Sequence, residues 1–154
     1  MSVFIVPRPI LAETEHALRD ATGERTVLWQ LQEPAEEEMT IRRLVIPEQQ
    51  AISTQFGYMV HVTGAELARQ QLEAYRLGLR TWIQLHTHPG VDVRMSKVDR
   101  AWAIADFPAA LSVIIPNFGR DGLTGWHGVG VHERTDRGWR TLSPGELHGV
   151  LVVR

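Results

Sequence analysis

Residues 80–99 read RTWIQLHTHPGVDVRMSKVD and carry the strongest pattern in the chain. The first six residues are typical of a buried strand, and this strand runs directly into His86. Side chains alternate across a strand, so His86 and His88 are expected to project from the same side. The Pro89-Gly90 pair predicts a sharp turn immediately after the two histidines.

The second half of this stretch predicts a helix over residues 96–105. In such a helix Ser96 and Asp99 lie on one face, at positions i and i+3, and Asp99 can return toward the two histidines as a third metal ligand. The same S-x-x-D pattern is nearly a capping box, in which both side chains satisfy backbone amides at the helix start. Metal ligation and helix capping are therefore expected to compete for these side chains.

Two histidines and one carboxylate form a familiar zinc set that leaves a fourth position for water. The chain has 7 histidines and no cysteine, so any metal site must be built from histidines and carboxylates. Zinc lowers the pKa of a bound water to about 7 and is redox-inert, so hydrolysis is the expected chemistry. Such a hydrolase also needs a carboxylate to carry the proton to the leaving amine, and the Ser96 hydroxyl is a candidate donor to the oxyanion.

Length and composition predict one soluble domain over residues 1–154. Hydrophobic residues make up 44% of the chain and charged residues 22%, which is ordinary for a globular fold. The net charge of −2 argues against a nucleic-acid binder that relies on basic charge. The apolar residues 3–6 are followed by Pro7 and Pro9 and preceded by no cationic region, so we expect no signal peptide or membrane span and a cytoplasmic protein.

The rest of the chain mixes helical and strand patterns and predicts one α/β domain with a mixed sheet. Besides residues 96–105, helices are predicted over 10–21 and 63–78. Residues 47–56 are predicted to be irregular, 147–153 to be a strand or a helix, and 40–46 to be a strand paired with 25–31. The other predicted strands are 58–62, 80–85, 111–115, 125–132 and 138–142.

The spacing H-x-H-x7-S-x2-D of His86, His88, Ser96 and Asp99 resembles the JAMM motif of the JAB/MPN-domain zinc metalloproteases, including the proline after the second histidine. The order of the predicted elements is similar to that family over residues 10–142. The resemblance implies a JAB1/MPN-type (cytidine-deaminase-like) domain with a mostly antiparallel sheet flanked by helices. It also implies one zinc ion with a bound water on His86, His88 and Asp99.

Members of that family use an upstream glutamate, between the first helix and the first strand, to activate the water. The corresponding residue here is Glu24, with Leu28 close to the family pattern and Val27 where the family often has glycine. Glutamates at positions 33, 36–38 and 48 would take this role only if the chain were threaded differently. Considered without the family, Glu24 is an ordinary solvated residue at a helix–strand junction.

The resemblance also implies a substrate: the C-terminal tail of a ubiquitin-like protein, joined to a lysine or followed by further residues. An extended tail can add to a sheet edge through main-chain hydrogen bonds. Similar bacterial members work with E1-like and E2-like partners in antiphage operons, or on sulfur-carrier proteins in biosynthesis. The family grips its substrate with two inserts, which correspond here to residues 48–57 and 118–125.

Other interpretations remain open at this stage. One alternative is a non-catalytic MPN scaffold, against which the intact ligand set argues. Another is a RadC-like, DNA-associated protein, against which the near-neutral net charge argues. Asp92 is expected to be a turn former or a surface charge. His61, His127 and His132 are expected to be packed or hydrogen-bonded, and Trp126 to lie in the core or to line a groove.

Overall fold

The computed structural model describes residues 2–33, 37–55 and 57–154, and the described strands form three sheets. The helices are α1 (Arg8–Arg19), α2 (Gly64–Arg76), α3 (Lys97–Ala101) and α4 (Pro144–Val150). Two short 3-10 helices cover Asn117–Gly119 and Thr124–Trp126. The strands are β1 (Val3–Val6), β2 (Thr26–Leu31), β3 (Glu38–Thr40), β4 (Arg43–Val45), β5 (Gln50–Thr54), β6 (Gly57–His61), β7 (Arg80–Thr87), β8 (Leu111–Ile115), β9 (Gly130–Thr135), β10 (Gly138–Thr141) and β11 (Leu151–Val153).

The central sheet has six strands in the order β10-β9-β8-β7-β2-β4. Strand β7 pairs in parallel with β8, and the other recorded pairings of this sheet are antiparallel. This arrangement confirms the predicted mixed α/β domain with a mostly antiparallel sheet flanked by helices. Because β7 lies inside the sheet, His86 is paired with β2 on one side and β8 on the other, and His88, just after the strand, donates its N–H to the Ile115 carbonyl of β8 at 2.9 Å.

The core fixes the position of β2 and β7 beneath α1. Trp29 of β2 is fully buried, and its indole N–H donates to the Thr14 hydroxyl of α1 at 2.9 Å. Ile83 and Leu85 of β7 are also fully buried, as expected for an interior strand. Among the described helices, none combines the length and apolar character that crossing a bilayer requires.

Two predicted elements are shorter than expected because long-range hydrogen bonds interrupt them. Helix α3 ends at Ala101 and not at residue 105, since the Gln84 side chain of β7 accepts from the Ala105 N–H and donates to its carbonyl, both at 3.1 Å. The predicted strand 40–46 is split into β3 and β4. Between them the chain passes from the sheet of β1 to the central sheet. The Ile41 N–H donates to the Ile5 carbonyl of β1, and the Arg42 N–H donates to the Gln30 carbonyl of β2.

Several further elements differ from the sequence prediction. Residues 47–56, predicted to be irregular, contain β5, which forms an antiparallel hairpin with β6. The apolar residues at the start of the chain form β1, which pairs in parallel with β3 and β11. The predicted strand 125–132 begins instead as a 3-10 turn and continues as β9, and residues 147–153 contain both the end of α4 and β11.

Candidate metal centre

Three predicted ligands come together where β7 meets α3. The Nε2 atoms of His86 and His88 lie 3.1 Å apart. Asp99 presents Oδ1 at 3.2 Å from His86 Nε2 and Oδ2 at 3.4 Å from His88 Nε2. All three side chains are partly buried, and their ligand atoms lie within 4.8 Å of one another. This group could hold a metal ion.

The spacing of these atoms fits a tetrahedral ion. Bonds of about 2.0–2.1 Å in tetrahedral geometry place neighbouring ligand atoms roughly 3.3–3.4 Å apart. The two imidazole nitrogens, 3.1 Å apart, and the 3.2 Å between His86 Nε2 and Asp99 Oδ1 lie close to that value, and the 3.4 Å to His88 Nε2 is measured from the other carboxylate oxygen, Oδ2. Burial favours a neutral carboxyl, but contacts with His86 and His88 outweigh it and hold the pKa of Asp99 well below its usual range. Its carboxylate is therefore charged and able to ligate.

Helix α3 begins with a complete capping box that also orients Asp99. The Ser96 hydroxyl accepts from the Asp99 N–H at 3.0 Å, and Asp99 Oδ2 accepts from the Ser96 N–H at 2.8 Å. These bonds confirm that Ser96 and Asp99 form a capping box, and ligation by Asp99 stays a prediction. A carboxylate with two oxygen atoms caps the helix and faces both histidines at once.

The loop after His88 fixes the orientation of that imidazole. His88 Nδ1 lies 2.7 Å from the Asp92 carbonyl, which can only accept, so Nδ1 carries the proton. When the imidazole is neutral, the lone pair of Nε2 is then free toward His86 and Asp99. The Asp92 carboxylate is occupied elsewhere, because it accepts from the Arg94 N–H and guanidinium at 2.8–3.0 Å. Asp92 is thus the expected turn former, while its main chain supports the histidine.

Glu24 lies at the edge of the same group, where the chain enters β2. The next residue, Arg25, exchanges two hydrogen bonds with Thr87, which stands between the two histidines: Arg25 N–H to Thr87 Oγ1 at 3.0 Å and Thr87 N–H to the Arg25 carbonyl at 3.1 Å. Glu24 is only 8% exposed. Burial raises the pKa of Glu24, the nearby imidazoles of His88 and His86 lower it, and the Asp99 carboxylate raises it again. Burial is the largest of these influences, and the pKa of Glu24 is raised overall.

Two of the other candidate glutamates form ion pairs with arginines. Glu33 pairs with Arg80 at 2.9 Å, and Glu38 pairs with Arg154 at 3.2 Å. The backbone N–H of residue 48 donates to the Glu66 carboxylate at 3.0 Å. Position 36 lies outside the described residues. The geometry thus favours Glu24 over Glu33 and Glu38 as the carboxylate nearest the cluster.

His132 supports the loop on its far side and was expected only to be a hydrogen-bonded histidine. Its Nε2–H donates to the Val93 carbonyl and its Nδ1 accepts from the Thr141 hydroxyl, both at 2.9 Å. Burial lowers the pKa of His132, which keeps the ring neutral for these two bonds. Sequence patterns could not find this role, since one partner is a main-chain atom 39 residues away.

Trp126, expected either to lie in the core or to line a groove, lies in the core. Trp126 is 5% exposed, and its indole N–H donates to the Leu151 carbonyl at 3.2 Å. Trp139 of β10 instead lines a groove beside the cluster, and no sequence pattern distinguishes it from the other tryptophans.

Comparison with known proteins finds a related sequence and a number of solved structures of similar fold, among them the two below. The probable metalloprotease y4jG of Sinorhizobium fredii is 30% identical over 118 residues, which are 77% of this chain and 72% of that protein. No protein-family model matches the chain. The solution structure of a protein from Desulfitobacterium hafniense has a TM-score of 0.62 at 16% identity, covering 99% of this chain and 93% of its own. That of a protein from Salinibacter ruber has a TM-score of 0.59 at 14% identity, covering 93% and 89%. At these identities the two structures show a shared fold alone.

Proposed function

The chain belongs to the family of the probable metalloprotease y4jG, and on that premise we propose that it is a zinc-dependent peptidase of the JAB/JAMM type. The observation that carries the proposal is the cluster of His86, His88 and Asp99, whose ligand atoms lie within 4.8 Å of one another. The relative and the cluster together support a metallopeptidase. The motif spacing supports the narrower assignment to the JAMM type.

In this proposal His86, His88 and Asp99 hold the zinc ion. When bound, zinc supplies Lewis acidity and makes a water molecule acidic enough to attack near neutral pH. Glu24 accepts a proton from the attacking water and passes it to the departing amine. The Ser96 hydroxyl accepts from the Asp99 N–H, so its own proton stays available to donate to the developing oxyanion.

We propose that the substrate bond follows the extended C-terminal tail of a ubiquitin-like protein, in a conjugate or a precursor. The β5–β6 hairpin supports this because it offers a strand edge close to Glu24. Gln49, just before β5, accepts from the Thr26 N–H at 2.7 Å and donates to the Thr26 carbonyl at 2.8 Å. These bonds tie the hairpin to β2 two residues after Glu24. In a bacterial pathway the partners would be E1-like and E2-like proteins, as in an antiphage operon.

Metal content and cleavage measured on the same preparations test the proposal. We expect about one zinc per chain and cleavage of a ubiquitin-like fusion by the wild type. Glu24→Gln should keep the zinc and lose about 100-fold or more in rate, as expected for a proton-transferring group. Glu33→Gln is the matched control and should cut normally.

The outcomes separate the parts of the proposal. Zinc binding with cleavage unaffected by Glu24→Gln would move the base to another residue. If the protein neither binds zinc nor cleaves the fusion, the proposed enzymatic activity is contradicted and a scaffold role is favoured. Cleavage of a sulfur-carrier fusion with no cleavage of the ubiquitin-like fusion would keep the peptidase and change its substrate.

A further inference from the structure

A groove of about 580 Å³ opens beside the candidate metal centre, on the side away from Glu24. Glu24 precedes β2, which borders β7 on one side in the sheet. The groove instead reaches β9 and β10, which lie beyond β8 on the other side of β7. His88 and Ser96 of the candidate metal centre also line this groove, so a peptide cut at the metal could extend into it.

One positive charge in this groove is uncompensated. Among the described residues that line it, Asp92 is the only carboxylate, and Arg94 pairs with both of its oxygens at 3.0 and 2.8 Å. Arg100 also lines the groove, and within the described residues it takes part in no ion pair. A guanidinium with free donors beside a cleft is suited to bind a carboxylate through two parallel hydrogen bonds.

The walls of the groove are rigid and partly apolar. The loop that forms one wall packs directly on β9, where a side-chain carbon at Gly130 would collide with the Val93 carbonyl. His132 then fixes the same carbonyl to β10 through Thr141. Trp139 is half-buried along the groove and offers an aromatic wall. A preformed site of this kind lowers the entropic cost of binding.

We propose that this groove recognises a carboxylate of the peptide substrate and that Arg100 is the residue that selects it. The carboxylate belongs to an acidic side chain close to the scissile bond or to a free C-terminus, since both present the same two oxygens. Trp139 packs against the aliphatic part of the same residue. The inference names a substrate feature of the proposed peptidase and rests on that function for the position of the bond.

The test measures peptide binding to zinc-loaded Glu24→Gln protein, which should bind without cutting. The probes are acetyl-Leu-Gly-Gly-Gln-Ala amide, the same peptide with Glu in place of Gln, the peptide with Glu in place of Leu, and the Gln peptide with a free C-terminal acid. We expect at least one acidic peptide to bind about 10-fold more tightly than the neutral amide, and the preferred peptide identifies the source of the carboxylate. Adding Arg100→Gln should abolish the difference, and Arg100→Lys should retain part of it.

Arg76→Gln is the matched control, because Arg76 is exposed at the end of α2 and does not line the groove. This control should leave the preference unchanged. Three results would each overturn the inference. The protein could bind acidic and neutral peptides with equal affinity, or bind neither at millimolar concentrations. Arg100→Gln could also weaken binding of the neutral amide as much as binding of the acidic peptide. If cleavage is never found while the Arg100-dependent preference persists, the proposed reaction fails and the carboxylate site stands. If cleavage is found without the Arg100-dependent preference, the proposed reaction stands and the carboxylate site fails.

Discussion

Helices α3 and α4 begin with the same local device and differ in what faces it. In α3, Ser96 and Asp99 exchange hydrogen bonds of 2.8 and 3.0 Å. In α4, Ser143 and Glu146 exchange bonds of 3.0 and 3.2 Å. Both pairs are complete capping boxes, and in each the acid lies three positions after the serine.

The remaining contacts of the two carboxylates separate the pair. Asp99 faces the imidazoles of His86 and His88 at 3.2 and 3.4 Å, whereas Glu146 faces the Arg140 guanidinium at 2.8 Å. The S-x-x-acid pattern alone therefore cannot separate a ligand from a cap. What separates them is the neighbouring strand. The end of β7 places two histidines beside α3, whereas β10 places an arginine beside α4.

The largest expected effect comes from neutralising each acid in turn. Asp99→Asn and Glu146→Gln both keep an oxygen that can cap the helix. We expect Asp99→Asn to lower zinc affinity by more than about 100-fold, since loss of a supporting partner alone costs 10–100-fold. Glu146→Gln should leave the affinity unchanged. Titration with a competing chelator measures both, and equal affinities would contradict ligation by Asp99.

Replacing each capping serine should separate stability from catalysis. Ser96→Ala and Ser143→Ala each remove an N-cap acceptor, so each should lower the free energy of unfolding by about 1 kcal/mol. Only Ser96→Ala should also lower kcat, by about 100-fold, if its hydroxyl stabilises the oxyanion. Chemical denaturation and steady-state kinetics measure the two effects. A similar kcat for both variants would leave Ser96 as a cap alone.

Exchanging the two acids tests how strictly α3 fixes its carboxylate. Asp99→Glu keeps the charge and the capping chemistry but moves the oxygens by one methylene group. We expect zinc affinity to fall about 10-fold, because coordination depends on ligand distance within about 0.2 Å. Glu146→Asp should fold and bind zinc as the wild type does. Unchanged affinity in Asp99→Glu would show that α3 shifts to accommodate the longer side chain.

The smallest effect is expected where α4 meets its arginine. The Ser143 N–H and the Arg140 guanidinium outweigh partial burial and lower the pKa of Glu146, so its contribution to stability is present above its unfolded pKa, about 4.3, and lost as pH falls through the folded pKa. Arg140→Gln should therefore lower Tm by less than about 3 °C at pH 7, and by less still at pH 3. Thermal unfolding at both pH values measures it. A loss of bound zinc in this variant would contradict the separation of the two helix starts.

The site was predictable from sequence where local rules apply. Strand alternation places His86 and His88 on one side, and the i,i+3 relation brings Asp99 back from a helix that starts at Ser96. The support for His88 was not predictable, because it comes from the carbonyl of Asp92, and every residue has a carbonyl.

The fold was less predictable where partners are distant. The chain leaves one sheet for another at Ile41 and Arg42, whose amides bond to Ile5 and Gln30, and no local pattern marks that change. Likewise β1 is held between β3 and β11, and β11 lies at the other end of the chain. The four apolar residues of β1 carry no periodicity that would distinguish a strand from a short buried segment.

Helix α3 has only five residues, and isolated helices shorter than about 12 residues are marginal in water. Its first turn carries Asp99, so in the proposed site a protein with α3 unwound would lack one ligand. Metal binding and the coil-to-helix transition of this segment would then be linked equilibria, and a measured affinity would include the free energy of forming the helix. A substitution such as Lys97→Gly, which touches no ligand, would weaken metal binding through that linkage. Amide hydrogen exchange at Ser96 and Asp99 would slow on loading and so report occupancy from the backbone.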